Sequence, residues 1–423
     1  MSGAHGHLHD GPDEARLRRG LTVAVVAVLM VGLVGVAVWW PRGEAPELNP
    51  GGVTLQYVDA TVTDVATEDC VSIEVAGATE DCQIVTVDVT SGETSGTSAE
   101  FRIQASDFSK PQLEVGDDVV LARNPMAPPE FQYSYVDQQR TMPLLLLTIL
   151  FVVVVVALGR WKGLRALAGI FVGLAVIVVF LLPSLLRGNP ALPVALAATF
   201  VIAFLVLYLA HGFRPSTTVA LVGTLVSLVV TALLAQVFVG AAGFTGLFGD
   251  DAQTLRVTAG LVDLRALLVA GIVIGALGVL DDVTVTQVAT VVELRRVNPG
   301  LSRLELYRAA VTVGRDHIAS VVNTLVLAYA GASLPLLLVF MQGARPWDRA
   351  LTSELVAIEI VRTLVGSIGL VLAVPVTTAL AAAALSDGPD DPGRPDDTDG
   401  RRDPDGPDRG LDPNDPGPLD LLP

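Results

Sequence analysis

Apolar residues along this chain gather into long runs separated by polar stretches, most of them short. A hydrocarbon layer of about 30 Å takes roughly 20 helical residues to cross. Runs of that order lie at Leu21–Trp40, Thr141–Leu158, Leu164–Leu186, Ala191–His211, Ser216–Gly240, Leu264–Leu280, Ile318–Met341 and Ile360–Leu385. They predict an α-helical polytopic membrane protein with about eight transmembrane helices. The first run ends in Trp39-Trp40, a pair that suits the headgroup layer. Arg16, Arg18 and Arg19 precede it, as the basic flank of a signal peptide would. The run is long for a signal, and Val38-Trp39-Trp40 is not a small-residue cleavage site, so residues 21–40 read as an uncleaved anchor.

Between the first and second runs the pattern changes. Val58–Val65 alternates loosely, and Ile84-Val85-Thr86-Val87-Asp88-Val89 does so more clearly. Phe101-Arg102-Ile103 and Val119-Val120-Leu121 add two more short strands, with turns at Ser91-Gly92-Glu93 and Gly116-Asp117-Asp118 between. Residues 51–135 therefore predict an inserted small all-β domain, OB-like in plan. The rest divides into a tail over residues 1–20, a bundle of about seven helices over residues 141–385, and a second tail over residues 386–423.

Composition sharpens this picture. Of 423 residues, 51% are hydrophobic and only 17% charged, which is poorer in charge than ordinary soluble domains. The net charge of −17 is not one acidic surface, because much of it lies in residues 51–140 and after Leu385. A β domain this acidic lacks the basic groove that nucleic acid requires, and no basic run elsewhere supplies one. The tail after Leu385 is dominated by Asp, Pro and Gly and is expected to be disordered. In the other tail His5, His7 and His9 alternate. They could bind zinc, nickel or copper weakly, although a disordered polar tail explains them as well.

Lys and Arg set the orientation. Arg16, Arg18 and Arg19 precede the first span, Arg160, Lys162 and Arg165 follow the second, and Arg214 follows the fourth. Arg295, Arg296, Arg303, Arg308 and Arg315 lie between the sixth and seventh. With about eight spans these all fall on one side, so both termini are expected in the cytoplasm and the β domain outside. The two cysteines, Cys70 and Cys82, lie in that outer domain with no histidine near them. A disulfide is expected over two free thiols, in keeping with an oxidising compartment.

The stretch Gly271–Gly331 carries most of the candidate chemistry. Gly271, Gly275 and Gly278 have small-residue spacings that let helices approach closely. Asp281 and Asp282 follow at the cytoplasmic boundary. If the helix continues, Asp282, Thr286, Thr290 and Glu293 share one face. Asn298-Pro299-Gly300 ends it, and a second helix is expected from Ser302 toward Gly314, leading through Asp316 and His317 to a span that carries Asn323. Two explanations stay open. Residues 281–316 could be a cytoplasmic amphipathic pair with its charges in water. Alternatively, Asp282, Thr286, Glu293 and Asn323 could line a polar pathway for a cation or proton, since carboxylates at membrane depth are costly. In the last span Arg362 is expected to be held by a carboxylate, either Glu359 or Asp263.

Several of these residues resemble a known family. The run Gly275-Ala276-Leu277-Gly278-Val279-Leu280-Asp281-Asp282 with Thr286 and Glu293 is similar to the YibE/F-like family of bacterial multi-pass membrane proteins. So are Gly314-Arg315-Asp316-His317 followed by Asn323–Gly331, and Glu359, Arg362, Gly366, Gly369 and Pro375. The resemblance covers about Leu144–Leu385. It implies a multi-pass protein of the bacterial cell membrane and no established activity. Asp281 stands where that pattern has an apolar residue, so which carboxylate matches is open; Asp282 keeps the spacing to Thr286 and Glu293.

Three function classes follow. A transporter or permease for an ion or small solute is favoured by polar residues in late spans and by Pro183, Pro193, Pro335 and Pro375 within or near spans. A non-catalytic scaffold or sensor whose outer domain binds a partner is the alternative. An enzyme is not expected: Asp281 and Asp282 diverge by about 100° on a helix, and no zinc-protease, Walker or nucleophile-elbow motif is present. No cofactor is expected. The partners expected are the lipid bilayer and either a second copy or another membrane protein.

Overall fold

Lipid leaves a backbone only internal hydrogen-bond partners, so apolar runs of this length become helices. The structure, a computed structural model, describes residues 12–43, 55–71, 79–104, 111–247, 249–258, 260, 262–342, 349 and 351–385. His5, His7 and His9 and the acidic tail 386–423 lie outside the described residues. The helices are α1 (Pro12–Val38), α2 (Thr141–Val176), α3 (Leu182–Leu186), α4 (Ala191–His211), α5 (Pro215–Ala241), α6 (Gly249–Thr258), α7 (Leu264–Val297), α8 (Arg303–Ala332), α9 (Leu334–Gln342) and α10 (Glu354–Ala384). A π-helical stretch, Ile177–Leu181, joins α2 to α3.

Six helical runs among the described residues are long and apolar enough to cross a membrane: Arg19–Val38, Thr141–Leu186, Ala191–His211, Pro215–Ala241, Leu264–Val297 and Glu354–Ala384. The difference from about eight has two physical sources. Thr141–Leu158 and Leu164–Leu186 belong to one helical run that bends at Arg160, whose φ of 48° is the one positive value at a non-glycine among the described residues. The bend is sharp enough to bring Gly163 against the Val155 carbonyl. The stretch Ile318–Met341 is shared by α8 and α9 across Ser333, where Pro335 cannot continue the hydrogen-bond ladder.

Helices α7 and α8 are each opened by local capping. Asp263 opens α7 by accepting hydrogen bonds from the backbone N–H of Arg265 and Ala266, each 3.1 Å. Ser302 opens α8 with a capping box in which Glu305 reaches back to the Ser302 N–H at 2.9 Å. Those bonds hold the Glu305 carboxyl below its ordinary range. From Ser302 the helix runs through Gly314 without a break. Leu306, Ala310 and Gly314 are buried, so this part of the segment 281–316 packs into the bundle. The main core joins α1, α4, α5, α7, α8 and α10 through residues such as Leu207, Leu228, Leu280, Leu306 and Leu370.

The sheet forms its own core. Strands β1 (Gln56–Val71), β2 (Thr79–Val89), β3 (Ser98–Gln104), β4 (Asp118–Arg123) and β5 (Tyr133–Gln138) pair antiparallel in the order β3-β2-β1-β4-β5. The long β1 pairs with β2 and also with β4, and a register shift between Val62 and Asp64 lets it bend. The sheet curls into a half-barrel whose edge strands meet at the stacked rings of Phe101 and Tyr135, 6.3 Å apart. Val62, Val85, Val87, Val119 and Leu121 fill the concave side. Cys82 is buried opposite Glu68, and Cys70 is paired with Glu80 two positions away along the same ladder. The Cys70 side chain lies outside the described residues.

Candidate functional site

Helix α5 carries small and hydroxyl residues along its buried side: Thr217, Ala220, Thr224, Ser227, Thr231 and Ala235. Their spacings of three and four residues keep them on one seam. That seam faces α7 and α10, and glycines set how closely the helices approach. A methyl group at Gly223 would collide with Thr377 Oγ1, and one at Gly369 with Thr231 Oγ1. On the α8 side, a methyl at Gly314 would lie 2.8 Å from Gln287 Nε2 and 2.6 Å from Val374 Cγ1. These contacts put polar side chains where an apolar bundle would place leucines.

The polar groups of the seam are partly joined. Thr224 Oγ1 and Thr284 Oγ1 lie 2.7 Å apart, and either can donate. Thr224 Oγ1 is also 3.0 Å from the Ala220 carbonyl, and Thr284 Oγ1 is 3.1 Å from that of Asp281. Thr378 Oγ1 lies 2.9 Å from Gln287 Oε1 and 2.7 Å from the Val374 carbonyl, two acceptors that share its single hydrogen. Gln287, Thr224, Thr284, Thr377 and Thr378 are all completely buried. Five atoms in or beside the seam are buried without a hydrogen-bond partner: Ser227 Oγ, Gln287 Nε2, Thr377 Oγ1, Ser367 Oγ and Asp281 Oδ1. Buried polar groups are nearly always bonded, so a cluster of orphans asks for water, an ion or a solute.

The residues singled out from sequence lie elsewhere on α7. Asp282 is exposed, and its backbone carbonyl accepts from Thr286 Oγ1 at 2.8 Å. Glu293 pairs with Arg296 at 2.9 Å in an exposed ion pair. Glu293 also borders a cavity of about 220 Å³ with His211, Arg214 and Thr217. Asn323 is exposed on α8, and among the described residues no hydrogen bond joins it to Asp282 or Glu293. Arg362 Nη1 lies 2.8 Å from Glu359 Oε1, while Asp263 is occupied as the cap of α7.

Sequence reasoning missed Gln287, Thr284 and the α5 seam. The signal was available in part, because Thr217, Thr224, Ser227 and Thr231 repeat at near-heptad spacing within one apolar run. The structure also separates the two adjacent carboxylates: Asp281 is half-buried with an orphaned oxygen, and Asp282 is exposed.

Residues 147–387 match the family model described as YibE/F-like protein. The match takes in α5, α7, α8 and α10, and with them the whole seam, but not α1 or the sheet. No curated protein and no solved structure matches the chain significantly.

Proposed function

The chain belongs to the YibE/F-like family, and on that premise we propose that it is a permease-like integral membrane protein that passes an ion or small solute through its helical bundle. The observation that carries this is the buried hydroxyl seam. From Thr217 to Thr231 it follows α5 for about 21 Å at the ordinary helical rise, most of a hydrocarbon layer. Orphaned polar groups along such a line are costly in lipid unless something polar visits them.

In this proposal the chain crosses a bacterial cell membrane about eight times, the arms on either side of Arg160 counting as two spans. Both termini are cytoplasmic. The outer sheet is OB-like, its strand order closing through β3 and β5, and it is fastened by a Cys70–Cys82 disulfide. The chain carries no catalytic residue, and its partners are the bilayer and either a second copy or another membrane protein. Tags at both termini should report cytoplasm and a tag at Ser91–Gly96 the exterior; an exterior carboxyl terminus would break the span count.

The alternative is a scaffold or sensor whose outer domain binds a partner. It is favoured by Met126 and Phe131, 86% and 69% exposed on the connection between β4 and β5. The deciding experiment is flux into proteoliposomes holding the purified full chain, run over a panel of ions and small solutes. The permease proposal expects one of them to pass, with Thr377→Val reducing its flux. Protein-free rates for the whole panel would leave the scaffold as the better account.

A further inference from the structure

Three contacts fix the alignment of α5 against α7. Thr224 meets Thr284, Gly240 lies near the Arg265 guanidinium, and Thr217 shares a cavity wall with Val292. In each pair the number rises on one helix as it falls on the other, so the two are antiparallel and in step. Three residues further along α5 is Ser227, and three residues back along α7 is Asp281. With equal rise on both helices, these two sit at one level. Ser227 is 2% exposed and its hydroxyl has no partner. At the same level Asp281 Oδ1 is buried without a partner, and no ion pair to Asp281 exists among the described residues.

We infer that Asp281 and Ser227 bind an alkali-metal cation of the sodium class at this level of the seam. The donor chemistry is that of a hard cation: a carboxylate oxygen, a serine hydroxyl, and the hydroxyls of Thr224 and Thr284 one helical turn away. The charge count favours a single positive charge. One carboxylate faces this level, its neighbour Asp282 is exposed about 100° around the helix, and among the described residues no three His, Cys, Asp or Glu side chains come together. A divalent ion would need more anionic oxygens than the seam offers. The site also accounts for two of the five orphaned atoms at once.

The inference rests on the permease proposal for the same seam, so its first test does not need transport. Purified full chain in detergent is melted in sodium, lithium or potassium chloride, each balanced by choline chloride at constant ionic strength and pH. Wild type should show a saturable rise in Tm with at least one alkali cation. Asp281→Asn should abolish that rise, and Ser227→Ala, which removes one hydroxyl-oxygen ligand, should weaken the apparent affinity roughly tenfold, comparable to one lost polar contact with a charged group. Asp282→Asn should keep it. Ser227→Ala carries the test should Asp281→Asn fail to fold. Melting of wild type that depends on none of these cations, or on pH alone, overturns the inference. So does an unchanged response in Asp281→Asn, or its loss in Asp282→Asn instead. Proteoliposome flux then separates the two claims. Cation binding without flux of any solute leaves the site standing and sinks the permease; solute flux without cation binding does the reverse.

Discussion

Thr377 presses its hydroxyl against Gly223, and on the same pair of helices Thr231 does the same against Gly369. Each helix thus offers the other one glycine and one threonine, eight residues apart in both sequences (223 to 231 and 369 to 377). The close approach rests on the missing Cβ, because the obstacle at each glycine is a side chain with no free space to retreat. Gly223→Ala and Gly369→Ala should each cost about 1–3 kcal/mol by overpacking. Gly271→Ala and Gly278→Ala meet nothing within 4 Å and should be neutral. Thermal melting of the four variants in one detergent checks the contrast, and equal losses in all four would contradict it.

Gln287 separates a structural role from a transport role. Replacing it by Leu removes the orphaned Nε2 and leaves Thr378 with the Val374 carbonyl as partner. Stability should therefore change by no more than about 1 kcal/mol. Flux should fall at least tenfold if the amide serves a passing solute. A variant that melts several degrees lower and conducts normally would make Gln287 a packing residue only.

Arg362 and Glu359 form an ion pair with side chains 27% and 25% exposed. Complete burial would make loss of one partner cost roughly 3–5 kcal/mol, and the incomplete burial of both side chains reduces that. Arg362→Leu is expected to cost about 1–3 kcal/mol, with Glu359→Gln close to it and the double variant recovering part of the loss. Additive losses in the double variant would show that the two do not interact.

The disulfide proposal is open to direct chemistry. Closing a loop of this length is worth roughly 3 kcal/mol in the chain-entropy model. Mass spectrometry of unreduced, alkylated protein from an oxidising compartment should recover the peptides of Cys70 and Cys82 linked. Recovery of both as alkylated thiols would refute the bond.

Acid should weaken the cap of α8. Because the Ser302 hydrogen bonds lower the Glu305 pKa in the folded chain, its contribution is present above the unfolded value and lost as pH falls through the folded one. Ser302→Ala should lower Tm at neutral pH, and the gap to wild type should narrow in acid. A gap that is constant or widens toward acid would show that Glu305 does not act through this cap.

The membrane class was legible because lipid imposes one rule on every spanning segment, and apolar runs such as Ala191–His211 obey it visibly. The strands of the outer domain were legible for a similar reason, since Ile84–Val89 alternates between core and solvent. The seam was not. Helix α7 carries two polar stripes, one through Asp282, Thr286, Thr290 and Glu293, the other through Asp281, Thr284 and Gln287. Periodicity finds both and cannot say which of them faces neighbouring helices. Only the contacts with Thr224, Gly314 and Thr378 show that the second stripe is the buried one. Likewise the reciprocal glycine–threonine contacts join residues more than a hundred positions apart, and no local pattern encodes that pairing.

The short contact between Thr224 and Thr284 has a consequence for the electrostatics of the seam. Each hydroxyl has one hydrogen. In one arrangement Thr224 donates to Thr284, and Thr284 donates to the Asp281 carbonyl; in the other Thr284 donates to Thr224, and Thr224 donates to the Ala220 carbonyl. The pair is therefore a two-state dipole that reverses by rotating two O–H bonds, with no heavy atom moving. It can turn its oxygen lone pairs toward a positive charge approaching from either direction. Serine at either position keeps both states and valine abolishes them, so if the permease proposal holds, Thr284→Ser should keep the wild-type flux and Thr284→Val should lose it, although the two differ from threonine by about one atom each.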